Sequence, residues 1–244
     1  MQLKLKIILL VILNLPDFAR GQSSESIGLS NGYSIIPEVN FVSSASVQLY
    51  ANSLNIFERN ITDELEGGYG YGISVRKKLF RHDISFGISV EFLSIKDNSL
   101  TQSFFNDSVS YKARVTEELS VIPLEFTGFF NLPKFSEELN FYLGGGLGIY
   151  YGDRKRTVLN VESETVSKEA GYSLVIMSGM EYSISKNISG VFEVKFRQAE
   201  YSVRSVYPVS SIVINGNVFE LEQNLNSKVF VDGLKLSLGL SYNF

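Results

Sequence analysis

The chain has 244 residues, with no cysteine, no tryptophan, one histidine and a formal net charge of −4. Disulfides, thiol nucleophiles and cysteine-ligated metals are excluded, and the mild negative charge leaves no electrostatic footprint for nucleic acid. The length suits one or two domains, and all-β barrels of this size are often a single one.

The first residues have the form of an export signal. Lys4 and Lys6 supply a basic start, Ile7 to Leu15 a short apolar core, and Ala19-Arg20-Gly21 puts small residues three and one before a cut ahead of Gln22. That core is too short to span a bilayer as a helix, and no long apolar run follows it, so helical spans are not expected. The expected organisation is a signal peptide over 1–21, a Ser- and Gly-rich periplasmic lead-in over 22–37, and a transmembrane β-barrel over 38–244.

From there the chain alternates with period two, the mark of strands with one apolar and one polar face. Strand one is expected over Val39–Ala51 with its odd positions outward, and 52–67 as a polar loop. Strand two covers Gly68–Phe80, with Tyr69, Tyr71, Ile73 and Val75 on one side; Arg81-His82-Asp83 is a tight turn. Strand three runs Ile84–Ile95, followed by a long polar loop over 96–114. Strand four runs from about Leu119 to Phe130 and contains Pro123, which lacks a ladder donor and predicts a bulge or strained pairing. Strand five is Leu139–Tyr151, with Gly144, Gly146 and Gly148 leaving space on its inner face between Tyr142 and Tyr150; a charged loop over 153–169 follows. Strand six is Gly171–Ser183, strand seven runs from Ile188 to about Tyr201, and strand eight is Val231–Phe244. The long connection over 204–230 holds an alternating stretch about Asn215-Gly216, a hairpin signal with arms too short to cross a membrane.

Eight strands joined by alternately long and short connections predict an all-β fold, an eight-stranded antiparallel up-and-down transmembrane β-barrel. Apolar side chains then face lipid and the polar ones face the lumen. Arg76, Lys78, Glu91, Glu125, Glu181, Glu193, Lys195, Arg197 and Lys235 all fall on inward positions. An eight-stranded lumen is just wide enough for side chains to fill it, so near-balanced charge there reads as an ion-pair network more readily than as a conducting pore.

The export signal, the eight-strand meander and the ending Leu-Gly-Leu-Ser-Tyr-Asn-Phe resemble the small outer-membrane β-barrel proteins, and in particular the outer-membrane protein A-like and PorT-like barrels of Bacteroidota. The resemblance covers nearly all of 22–244. It implies residence in the outer membrane of a Gram-negative bacterium, contact with outer-membrane lipid, and an assembly signal at Tyr242 and Phe244 read by the barrel-assembly machinery. Such a pattern specifies the class far better than the function.

No catalytic, cofactor or metal site is expected. His82 sits on a short turn on the expected periplasmic side, away from the outer leaflet, and lacks triad or metal partners. Asp63, Glu64 and Glu66 lack the ordered spacing of a calcium loop. The favoured function is a non-enzymatic barrel with a structural or scaffold role, whose loops bind an extracellular or periplasmic protein partner. The alternatives are a small channel or transport accessory, and a soluble ligand-binding barrel.

Overall fold

The computed structural model describes residues 32–79, 83–106, 109–133 and 136–244. The expected signal peptide, most of the lead-in and His82 lie outside these residues.

Fourteen strands and one short helix are present among them. They are β1 (Tyr33–Gln48), α1 (Ile56–Arg59), β2 (Thr62–Lys78), β3 (Ile84–Asn106), β4 (Val109–Asn131), β5 (Leu139–Val158), β6 (Val161–Glu162), β7 (Glu164–Glu169), β8 (Gly171–Ser183), β9 (Ile188–Arg197), β10 (Ala199–Val206), β11 (Ser211–Ile214), β12 (Asn217–Glu220), β13 (Asn224–Val231) and β14 (Lys235–Asn243). Eight of them form a closed antiparallel ring in the order β1-β2-β3-β4-β5-β8-β9-β14, with β14 returning to β1. At the seam, the backbone N–H of Tyr33 donates to the carbonyl of Phe244 at 3.2 Å, and that of Phe244 to the carbonyl of Tyr33 at 3.0 Å. Closure leaves no unpaired edge at this level, which is what allows a sheet to stand in lipid.

The outer wall carries a continuous apolar band. Ile73, Phe86, Val90, Phe126, Leu147, Leu174, Ile176 and Leu238 all project outward and are exposed. On β5 the band runs from Phe141 to Tyr151. Ten residue steps at about 3.3 Å, tilted by about 40°, rise roughly 25 Å, the height of an outer-membrane apolar belt. Aromatic rings mark both borders. Phe41 packs on Tyr69 at 5.2 Å and Tyr71 on Phe92 at 5.6 Å at one end; Tyr33 and Tyr242 each stack on Phe244 at 6.1 Å at the other.

Above the upper aromatic border the apolar face changes sides. Outward positions become Ser94 and Lys96 on β3, Ser120 and Glu118 on β4, and Asp153 and Lys155 on β5. Inward positions become Leu93, Ile95, Leu119 and Val121. The strands pass from surroundings that solvate apolar groups to surroundings that solvate polar ones, and burial of apolar surface drives the inversion.

This inversion corrects several expectations. Much of the 52–67, 96–114, 153–169 and 204–230 loops is strand: β2 starts at Thr62, β3 and β4 continue to Asn106 and from Val109, and β5 reaches Val158. Strand one starts at Tyr33, inside the expected lead-in, and its odd positions face outward only as far as Ser43; Ala45, Val47 and Leu49 are buried. Strand seven breaks at Gln198 into β9 and β10, and strand eight at 232–234 into β13 and β14. The second break is a tight approach. Leu234 exchanges hydrogen bonds with Ser43, and a Cβ on Gly233 would sit 2.5 Å from the Ser44 backbone, so only glycine fits there. Pro123 interrupts the ladder, leaving Glu91 and Phe92 without partners across β3·β4, but without a bulge; the register shift in that pair lies between Asp97 and Leu100.

The hairpin about Asn215-Gly216 is present as β11–β12, turning through positive φ at both residues (52° and 83°), the geometry that Asn-Gly favours. It forms a two-stranded sheet of its own. Its inner face, Ile212, Ile214 and Phe219, packs with Leu221, Phe104, Val115, Val158 and Leu225 to close the top of the barrel.

Candidate functional site

From its lower mouth upward, the lumen is filled in layers. The lowest layer is built on Arg76, whose guanidinium lies 4.2 Å from the Phe129 ring centroid and 5.2 Å from that of Tyr142 and is ion-paired to Glu193. Tyr142 donates its hydroxyl to the same carboxylate at 2.7 Å. Tyr142 has room because Gly179 faces it: a Cβ there would lie 2.4 Å from the ring. Gly148 plays the same part for Tyr150, at 2.6 Å.

The next layer is a compact salt-bridge lattice. Glu91 is held by Lys235, by Arg197 at 3.2 Å and by Lys195 at 3.5 Å. Glu125 accepts from Lys195 at 2.5 Å, from Arg197 at 3.4 Å and from the Tyr150 hydroxyl at 2.5 Å. Lys235 reaches Glu38 at 3.0 Å. Across both layers the acids Glu38, Glu91, Glu125 and Glu193 match the bases Arg76, Lys195, Arg197 and Lys235 one for one, and all eight are buried. Buried charge is tolerated only when so compensated.

An apolar plug follows, formed by Val42, Ala45, Val47, Leu93, Leu119, Val121 and Val229 with Tyr150 and Tyr201. Above it lies a second ionic layer. Arg154 binds Glu117 through two nitrogens at 2.5 and 3.1 Å and donates to Ser227 at 2.6 Å. Arg156 binds Glu117 at 2.7 Å and Asp63 at 2.6 Å. Burial alone would weaken the hold of Arg156 on its proton, but Glu117 and Asp63 outweigh burial and keep it ionised. Burial also pushes the nearby Tyr207 phenol up to about 12.

Of the nine inward residues picked out in the sequence, seven meet in the lower lattice. Lys78 and Glu181 do not; they line the open lower mouth. Glu38, Glu117, Arg154 and Arg156 escaped sequence reasoning, and Asp63 entered it only as a calcium-ligand candidate. Glu38 shares the parity of inward Asn40 and Val42 and could have been found by extending strand one backwards. Asp63 points inward to Arg156 while Glu64 and Glu66 are exposed, so the three acids do not converge on a cation. Among the described residues no cluster of His, Asp or Glu is arranged to hold a metal. Tyr242 and Phe244 lie on the lower outer rim, where Tyr242 pairs with both Ile35 and Ile188.

On the outside, β5 and β7 are held together through Asp153, which accepts from Thr165 at 2.5 Å and Lys168 at 2.5 Å. Burial pushes this carboxyl up, but the bonds from Lys168, Thr165 and the Arg154 backbone outweigh burial and hold it below the usual range. A depressed carboxyl stabilises the fold above its ordinary pKa, and that contribution fades as pH falls through the lowered value. Acidification below about pH 4 is therefore expected to loosen β7 before the sealed lumen, seen as faster amide exchange at Thr165 and Lys168.

A closed eight-strand ring with lipid-facing apolar walls and a filled interior decides the architecture. The fold is that of an outer-membrane β-barrel. The chain is similar to the outer membrane protein OprG from Pseudomonas aeruginosa, with a TM-score of 0.54 and 11% identity over 89% of this chain and 98% of that one. It is also similar to Neisserial surface protein A (TM-score 0.46, 13% identity, 87% of this chain, 97% of that one). A third similar structure is Ail, the attachment invasion locus protein of Yersinia pestis (TM-score 0.41, 14% identity, 88% of this chain, 99% of that one). No protein-family model and no curated protein matches the sequence. At such low identity the likeness speaks to the fold alone.

Proposed function

We propose that the chain is a non-enzymatic barrel of the Gram-negative outer membrane that works as a sealed mount for a platform outside the bilayer. The observation that carries this reading is the filled lumen: two balanced ionic layers with an apolar plug between them. A solute crossing it would have to break buried ion pairs and then displace close-packed side chains, each step costing several kcal/mol. The platform, made of the upper halves of β1 to β5 with β7, β10, β13 and the β11–β12 cap, has its own apolar core. It is therefore rigid enough to present loops to an extracellular protein partner. The short helix α1 on the β1–β2 connection, with Leu54 and Phe57 almost fully exposed, lies on this platform.

In this reading the lower rim faces the periplasm. Tyr242 and Phe244 form the aromatic signal for the barrel-assembly machinery, and the outward band contacts outer-membrane lipid. The resemblance to Bacteroidota barrels of the outer-membrane protein A-like and PorT-like kind belongs to the same proposal. The purified protein, reconstituted in planar bilayers, is expected to show no steady conductance at any voltage that the bilayer withstands. A reproducible ohmic channel would overturn the sealed reading in favour of a transport role. An outward apolar band on all eight ring strands weighs against a soluble ligand-binding barrel, which turns that face inward.

A further inference from the structure

The lower mouth is a water-accessible cup of about 170 Å³ closed from above by the Arg76–Phe129–Tyr142 layer. Two of its lining residues, Lys78 and Glu181, were expected in the ionic lattice and are not in it. Neither forms an ion pair among the described residues; Glu181 accepts only a long hydrogen bond from Asn243, at 3.5 Å. Their placement is specific. In the ring order, β2 and β8 stand four strands apart in either direction, so the two charges face each other across the full width of the mouth. Pairing outward from Lys78 through Ser85, Phe129 and Gly144 arrives at Met177 on β8. Pairing the other way, through Gly32 and past Phe244 and the end of β9, arrives in the turn beyond Ser183. Glu181 lies between these two points, at the height of Lys78.

The lattice above matches each buried acid with a base at contact distance. The cup instead keeps Lys78 and Glu181 apart on opposite walls, with Arg76, already paired to Glu193, at its closed end. Side-chain amides of Asn131 and Asn140 line the wall between, hydrogen-bonded to each other at 3.2 Å with further donor and acceptor capacity. The buried Arg76 keeps its Nε without a hydrogen-bond partner beside the cup floor. A ligand complementary to this arrangement carries a carboxylate at one end, an ammonium at the other and amide groups between. We infer that the cup receives a short peptide zwitterion, with its carboxylate at Lys78, its ammonium at Glu181 and its peptide groups on Asn131 and Asn140. An extended residue adds about 3.3–3.6 Å, so a cup of about 170 Å³ limits the ligand to a few residues.

The whole protein in detergent micelles or lipid nanodiscs, titrated with trialanine and followed by saturation-transfer NMR, tests this. Trialanine is expected to bind, and capping either end, as N-acetyl-trialanine or trialanine amide, is expected to weaken binding at least tenfold. Lys78→Gln is expected to abolish the penalty for capping the carboxyl end, and Glu181→Gln the penalty for capping the amino end. Both positions lie outside the buried lattice, so heat-modifiable gel migration is expected to report a folded barrel in each variant. No saturation transfer at tens of millimolar trialanine overturns the inference. So does equal binding of free and doubly capped peptide, or binding of a neutral saccharide that neither variant alters. Because the site is below the seal, none of these outcomes bears on whether the barrel conducts.

Discussion

Replacing Glu91 with alanine is expected to destabilise the barrel by about 3–5 kcal/mol, the usual cost of removing one partner from a buried ionic cluster. Glu91 is the shared acceptor of Lys235, Arg197 and Lys195, and its removal leaves a buried excess of positive charge with no water to solvate it. Urea titration of the folded band on a gel, after refolding into lipid vesicles, measures the loss. A sharper test is the double variant Glu91→Gln with Arg197→Met. That pair leaves Glu38 on Lys235, Glu125 on Lys195 and Glu193 on Arg76, every remaining acid still paired, and is expected to recover most of the stability. If the double variant is as unstable as the two single losses added together, shape and not charge balance governs the lattice.

Arginine in place of Leu147 is expected to cost about 2–4 kcal/mol, the depth-dependent penalty for a charge on the lipid face near the bilayer middle. Leu147 points outward, is 63% exposed in the isolated chain, and sits between Phe126 and Leu174, which also face out. Arginine at Ser120 is the matched control. Ser120 is outward on the neighbouring strand but above the aromatic border, beside Asp153, and its replacement is expected to change stability by no more than about 0.5 kcal/mol. The same refolding titration in vesicles reads both. Equal tolerance at the two sites would mean that the band around Leu147 meets water, and the membrane placement would fall.

The eight crossing strands were legible in the sequence because lipid outside and a polar lumen inside force a strict two-residue period. Leu236, Leu238 and Leu240 separated by Ser237 and Gly239 leave little else for that segment to be. The upper halves were not legible for the opposite reason. In 152–157, Gly-Asp-Arg-Lys-Arg-Thr is polar on both faces, because Asp153 and Lys155 meet solvent while Arg154 and Arg156 meet Glu117 inside. A two-sided polar run carries no period, so it looks like a loop until the partner carboxylate comes into view. The same blindness hid the second ionic layer and the plug between the layers. Lys78 and Glu181 show the complementary error. Parity pointed them inward, but it carries no information about height along the barrel, and height decides whether an inward charge finds a counter-ion.

The clasp between Tyr33 and Phe244 joins the earliest and the latest residues of the finished cylinder. The cylinder thus has no stable subset: a product that stops before β14 cannot shrink to a smaller, intact version of itself. It keeps two raw margins, one on β1 and one on β9, each displaying a row of unsatisfied amides and carbonyls ready to recruit any passing extended segment. Truncated molecules are thus expected to accumulate as sticky aggregates and not as leaky pores.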